Sequence, residues 1–392
     1  MSLRVTREQW KDREALRITN DVMEAVVLPG GDHLAELRLA IAGEAGLNCL
    51  WTPPWPTADP GDARTASLVA RYGADAAARF LAGYTGHALC LDLFGPPSPQ
   101  EAALGVVLHG EAAIHPWSFE TTPTSCIGRV HLPVVQLNFE RRLSLVSGAA
   151  VLCIEERIEN HGPEARELHW VQHLTLGPPF LAAHESLLNA SLDRGLTWPL
   201  GYEGHALLRD NAPFAWPYAP ALDGSAADLR NPFAHPGKGF ITATRVAPAR
   251  DFAFIAALNS RLGLALIYCF RRRDFPWIAI WEENCARTAA PWNGTSQARG
   301  MEFGTTPMPI GRDALRSMGT LLDTPSARTL PPGGIVHARY LAALATVPAG
   351  WRSITDVQHE PHALRLVGQQ PGASVEISAE GLLDFLLGEN EK

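Results

Sequence analysis

The chain reads as mostly β, a large antiparallel β-sandwich carrying few short helices. Short runs of alternating apolar and polar residues, separated by Gly, Pro and Asn, recur along it, and few segments sustain a helical period. With 392 residues and 46% hydrophobic content it can bury a large core. Length alone would permit two or three domains, but large β-sandwiches run long, and a single domain over residues 1–392 is expected.

The clearest unit is a hairpin. Val135, Leu137, Phe139, Leu143 and Leu145 share one face of its first strand, and Leu152, Ile154 and Ile158 share one face of its second, with residues 147–150 as a four-residue loop. Pairing Val146 with Val151 sets the two odd members of those faces, Arg141 and Glu156, opposite each other. Charge on a buried face is tolerated mainly when partnered, so the register predicts a cross-strand ion pair. The competing reading is a bulge that turns Arg141 outward.

Further along, residues 168–176 alternate so that Leu168, Trp170, Leu174 and Leu176 lie on one face, leaving His169, Val171 and His173 on the other. His173 thus points away from the core-like face, near a strand end marked by Gly177-Pro178-Pro179. In residues 275–283 the aromatics Phe275, Trp277 and Trp281 fall opposite Ile278 and Ile280, so one of these faces is core. Residues 299–307 then set Glu302 between Gly300 and Gly304 on one face, with Met301 and Phe303 on the other. Two flanking glycines predict open space beside that carboxylate, and partial burial would raise its pKa into the range of a general base. The bland alternatives are a solvated glutamate and an exposed or core-satisfied histidine.

Residues 60–84 hold the one good helical candidate, around Asp75-Ala-Ala-Ala-Arg79, expected to decorate the sandwich. Residues 211–237, rich in Pro, Ala and aromatics, read as an irregular rim or lid over a cleft, with a plain packed loop as the alternative.

A net charge of -8 without any Lys/Arg-rich run argues against nucleic acid as a partner. Six scattered cysteines, with no Cys-x-x-Cys pair, fit reduced thiols better than a zinc or disulfide framework. The first residues lack the apolar core of a signal peptide, and no run has the length of a membrane span. A soluble, cytoplasmic protein without membrane partner is therefore expected, and oligomeric state is not readable.

Taken in order, Leu28-Pro-Gly-Gly-Asp-His-Leu-Ala-Glu-Leu37, His109-Gly110, Asn160-His-Gly162, His173 with Gly-Pro-Pro-Phe180, Trp281, Pro291-Trp-Asn-Gly294 and Gly300-Met-Glu302 resemble the aldose 1-epimerase (galactose mutarotase-like) superfamily. The resemblance runs to about Ala345. It implies a large antiparallel sandwich that binds a sugar on a concave face. It also implies roles: Glu302 as base, His173 as acid and His109 as a sugar-orienting histidine. The family's Gly-Arg-x-x-Asn-Arg arginine has no counterpart in Gly86-His-Ala-Leu-Cys-Leu-Asp-Leu-Phe-Gly95, where His87 and Asp92 are the polar candidates to replace it.

Interconversion of sugar anomers needs one proton taken from the anomeric hydroxyl and another delivered to the ring oxygen. Glu302 and His173 would suffice without cofactor or metal, with the carboxylate helping to keep His173 protonated. Sugars also need flat apolar platforms and groups for their hydroxyls. Trp281 is the best stacking candidate and Trp117 a weaker one, while core packing suits Trp277. Glu282 is a candidate for sugar hydroxyls and the rival to Glu302 as base. Two other functions use the same residues: a non-catalytic carbohydrate-binding protein, or a metal-dependent isomerase with two histidines and a carboxylate as ligands.

Overall fold

The computed structural model describes residues 3–388. Two large antiparallel sheets face each other. The thirteen-stranded sheet runs from Arg4–Trp10 through Arg13–Thr19, Met23–Leu28, His33–Leu39, His87–Cys90, Val171–Leu176, Gln297–Gly304, Trp277–Asn284, Lys238–Val246 and Leu192–Thr197 to three short edge strands. The eight-stranded sheet includes Phe252–Asn259, Leu264–Arg271, Ile335–Thr346, Val151–Asn160 and Leu137–Leu145. Between them lies the main core, where Phe303 of the first sheet stacks on Phe270 at 4.5 Å and meets Tyr340 edge-on at 5.3 Å.

The outer face of each large sheet is also covered. A three-stranded sheet (Ile354–Glu360, Ala363–Gly368, Ser374–Ser378) and the helix Leu382–Leu387 pack on the eight-stranded sheet through Trp351, Leu364, Leu366 and Leu386. Over the thirteen-stranded sheet, a separate aromatic cluster gathers Trp51, Trp55, Tyr72, Phe80, Tyr84, Trp281 and Trp292. Alternation decides which residues reach it: Met301 and Phe303 point into the main core, so Gly300 and Glu302 point out beneath the aromatic cluster.

The hairpin has the expected register, with Leu145 opposite Leu152, Leu143 opposite Ile154, Arg141 opposite Glu156 and Phe139 opposite Ile158. Arg141 Nη2 lies 2.8 Å from Glu156 Oε1, and both side chains are buried. The pair is part of a larger polar cluster between the sheets. Arg141 Nη1 reaches Asp32 Oδ2 at 2.6 Å, and Glu156 accepts from Trp170 Nε1 at 2.8 Å, Gln172 Nε2 at 2.6 Å and the Tyr340 hydroxyl at 2.7 Å. Two carboxyls thus share one guanidinium. Burial, only partly offset by Arg141, pushes Asp32 up to about 7.

Several expectations are corrected. The helical stretch is two helices, Ala63–Arg71 and Ala76–Leu81, each N-capped by an aspartate (Asp62, Asp75) and parted at Gly73, whose φ is 122°. They wall a cavity rather than decorate the sandwich, and three further helices occur. Residues 211–237 form no lid: Pro213–Ala215, Tyr218–Pro220 and Ala226–Asp228 extend the large sheet at its edge. The 168–176 stretch splits, with Arg166–Leu168 pairing with Arg328–Leu330 in a separate ribbon. All six cysteines are free, and among the described residues no helix is long and apolar enough to cross a membrane.

Truncating Glu156 to Ala removes the acceptor for three donors and half the countercharge of a buried guanidinium. We expect Glu156→Ala to cost about 3–5 kcal/mol, read as a drop in the urea midpoint. An unchanged midpoint would show that water replaces the carboxylate.

Candidate active site

A cavity of about 620 Å³ opens over the outer face of the large sheet, and His109, His173, Trp281 and Glu302 all line it. Strand pairing brings two of them together. Gln172 pairs with Phe303 and Thr175 with Gly300, which sets His173 across from Glu302 on the neighbouring strand. Their side chains meet, with His173 Nε2 at 3.3 Å from Glu302 Oε1. Gly300 permits this. A Cβ there would lie 2.3 Å from Glu302 Oε1, so the carboxyl folds back over the glycine. The expected open space is therefore absent: the carboxyl itself fills it at Gly300, and the backbone at Trp170 and Val171 crowds Gly304.

On its other side, His173 Nδ1 is 2.9 Å from the Tyr84 hydroxyl and 3.0 Å from Thr175 Oγ1, and these two hydroxyls also bond each other. The imidazole is thus held at one nitrogen by hydroxyls and at the other by the carboxyl. His109 sits edge-on to His173, ring centroids 5.2 Å apart, in a tight turn where its φ is 65° and that of Gly110 is 87°. The Gly95 amide donates to His109 Nδ1 at 3.3 Å, which places the ring proton on Nε2. Nε2 has no hydrogen-bond partner among the described residues and remains a donor for a ligand.

Trp281 contributes a wall. It meets Trp292 edge-on at 5.7 Å, and its Nε1 donates to the Tyr202 hydroxyl at 2.8 Å. Arg287 lies over Tyr202 at 4.7 Å and Trp292 at 5.2 Å, on a turn fixed by Glu283 Oε1, which accepts the Arg287 amide at 3.0 Å. Its Nε donates to Glu203 at 3.2 Å, and its terminal nitrogens have no hydrogen-bond partner among the described residues.

Burial governs the protons. It raises Glu302 to about 8 against the nearby charge of Arg287, lowers His173 to about 3, and holds His109 well below its usual value. Glu302 is only 2% exposed. At neutral pH the shared proton is therefore on Glu302 and His173 is neutral, the reverse of the expected carboxylate beside a protonated imidazole. A carboxyl and an imidazole sharing one proton can accept a proton from one ligand oxygen and return one to another.

The other sequence candidates lie elsewhere. Glu282 faces away from the cavity, on the side of Ile280. It pairs with its cross-strand neighbour Arg299 and accepts the Phe233 amide at 2.9 Å. His87 faces the main core with Leu89, between Gln172 Oε1 at 3.0 Å and the Tyr268 hydroxyl at 3.2 Å. Asp92 is buried against Arg166 and Arg312 and accepts the His169 amide at 2.8 Å. Trp117 is core, edge-on to Phe139 at 5.3 Å. Phe275 precedes its strand and also packs in the core, against Trp170 and Phe303. Trp277 is buried as expected, donating to the Pro325 carbonyl at 2.8 Å.

Sequence reasoning missed Tyr84, Thr175, Arg287, Trp198 and the platform role of Trp292. Only Thr175 carried a local signal, sharing the outward face of its strand with His173. Among the described residues no three His, Cys, Asp or Glu side chains form a group able to hold a metal ion.

The Glu302 carboxyl should titrate near 8 when followed by carbon NMR of the labelled protein. Arg287→Leu removes the cation that opposes the effect of burial, so the midpoint should move upward. An ordinary carboxylate midpoint in the wild type would show that water reaches the group.

No family model matches the chain, and no curated protein matches it in sequence. Solved structures do match. A candidate aldose 1-epimerase from Klebsiella pneumoniae superposes with a TM-score of 0.61 at 15% identity, over 87% of this chain and 82% of that one. A candidate aldose 1-epimerase from Escherichia coli K12 gives 0.56 at 11% identity, covering 88% and 100%. A galactose mutarotase-like protein from Clostridium acetobutylicum gives 0.55 at 14% identity, covering 88% and 99%. Identities this low carry the architecture alone, and by that architecture this chain has the galactose mutarotase-like fold.

Proposed function

We propose that the protein interconverts the α and β anomers of a sugar by acid–base ring opening and closure. The observation that carries this reading is the 3.3 Å approach of His173 Nε2 to Glu302 Oε1 in an aromatic-lined cavity, with His109 beside them. The pair holds one proton. In ring opening one member takes the anomeric proton while the other protonates the ring oxygen. The C1–C2 bond then rotates, and closure on the other face of the carbonyl sends both protons back. Opening and closing alternate the two tautomers of the pair, so no net proton enters or leaves. His109 Nε2–H donates to a sugar oxygen, and Trp281 with Trp292 offers apolar faces to the ring. The names of the structural neighbours agree with this reading, which extends beyond the fold they share.

The alternative of carbohydrate binding without turnover differs in one measurement. Glu302→Gln keeps the shape of the side chain but can neither take nor give the proton, so anomer exchange should fall roughly 100-fold or more while sugar affinity changes far less. Polarimetry or NMR exchange at the wild-type rate in this variant, on a sugar the protein binds, would leave only the binding role.

The protonation of the pair sets a pH window. Above about 8 Glu302 loses the shared proton while His173 stays neutral, and no donor remains. Below about 3 His173 gains a second proton and no acceptor remains. Activity should be level across neutrality and fall on the alkaline side through about 8. An alkaline limb that is flat to well above this value would contradict a raised Glu302.

Gly300→Ala tests positioning. The added methyl would displace the end of the Glu302 side chain and press on the Trp281 ring at 3.1 Å, with no backbone atom among its nearest contacts, so the protein should fold. Anomer exchange should drop by about 100-fold from misplacement alone.

A further inference from the structure

The cavity is larger than one sugar ring requires, and part of its lining runs along the sheet away from Glu302. Its volume of about 620 Å³ sits within the range of roughly 300–1,000 Å³ typical of sites for drug-sized ligands. Its floor is a straight row across the large sheet. Thr175 pairs with Gly300, Gly300 with Trp281 and Trp281 with Ile241, and the Trp198 amide donates to the Ile241 carbonyl at 2.9 Å. Trp281, Ile241 and Trp198 all line the same cavity as Glu302. Adjacent strands are about 4.8 Å apart, so three spacings put Trp198 about 14 Å from Gly300, where the Glu302 carboxyl rests. A pyranose, built from bonds of about 1.5 Å, spans no more than ~6 Å between the oxygens on C1 and C4. One ring with C1 at Glu302 ends near Trp281.

What lies beyond that point is furnished for a ligand. Trp51, Trp55, Trp281 and Trp292 hold one another in ring contacts. Trp198, half-buried in the cavity wall, makes no ring contact and no indole hydrogen bond among the described residues. Between the two regions Arg287 lies 5.8 Å from the Trp281 ring with its terminal nitrogens unspent, next to the exposed carboxylate of Glu203. A flat apolar face with donors and an acceptor beside it is the chemistry that recognises a sugar ring and its hydroxyls.

We propose that the ligand is the reducing end of an oligosaccharide of at least two units, its terminal ring at Glu302 and His173 and its next ring on Trp198. This rests on the sugar reading of the site. The test is calorimetric binding of glucose, galactose, maltose, cellobiose and lactose to the intact protein. At least one disaccharide should bind about tenfold or more tightly than the monosaccharide at its reducing end. In Trp198→Ala that ratio should collapse towards one, and Trp198→Phe, which keeps a flat face, should restore most of it. No disaccharide exceeding its monosaccharide, including the case in which none binds, overturns the proposal, as does a ratio untouched in Trp198→Ala. Turnover separates this from the proposed function. A disaccharide preference without accelerated anomer exchange sinks the mutarotase reading alone, while accelerated exchange of monosaccharides without that preference sinks the second subsite alone.

Discussion

The buried cluster around Arg141 fixes the register on which the cavity depends. Gln172 donates to Glu156 Oε2 at 2.6 Å and accepts from Arg141 Nη2 at 3.2 Å, which ties the strand Val171–Leu176 of one sheet to the hairpin of the other. Side chains alternate along a strand, so an inward Gln172 forces an outward His173. The neighbouring strand repeats the logic without charge, since Phe303 locked against Phe270, Tyr268 and Tyr340 forces Glu302 outward. A slip of one residue in either strand would drive His173 or Glu302 into the core and expose Gln172 or Phe303. The polar cluster and the aromatic core thus hold two side chains in place without touching them.

Dehydration does the remaining work. Glu302 and His173 lie under the cluster of Trp51, Trp55, Tyr84, Trp281 and Trp292, where neither charged form is well solvated. The carboxyl rises to about 8 and the imidazole falls to about 3 for the same reason, leaving one proton over a wide pH range. Tyr84 and Thr175 satisfy the far nitrogen of His173 in either tautomer, because a hydroxyl donates or accepts by rotating. Arg287 supplies the nearby positive charge, held by aromatic faces, by Glu203 and, at 3.8 Å, by the buried carboxylate of Glu283.

Much of this was legible in the sequence wherever alternation and pairing act locally. The β class, the hairpin register, the Arg141–Glu156 pair, and the outward faces of His173 and Glu302 all follow from the period of two read against apolar neighbours. The same rule, applied consistently, would have excluded two candidates. His87 shares a face with Leu89, and Glu282 shares one with Ile278 and Ile280, and both faces are core. The burial of Asp92 against Arg166 and Arg312 carried no comparable signal, since its partners are 74 and 220 residues away.

The sequence by itself therefore determined which way each strand's side chains point, because that depends only on neighbours one and two positions away. Beyond that hairpin it did not determine which strands lie side by side, and that choice makes the cavity. Val171–Leu176 and Gln297–Gly304 are adjacent only in the folded sheet, and helices, loops and strands far apart in the chain bring Tyr84, Arg287, Trp292 and Trp198 over or beside them. The upward shift of Glu302 was expected from burial, but its extent and the neutral state of His173 were beyond the sequence for the same reason. A carboxylate beside an imidazole reads as an ion pair, but the depth of burial reverses it, and depth is a property of the packed aromatic cover rather than of either residue.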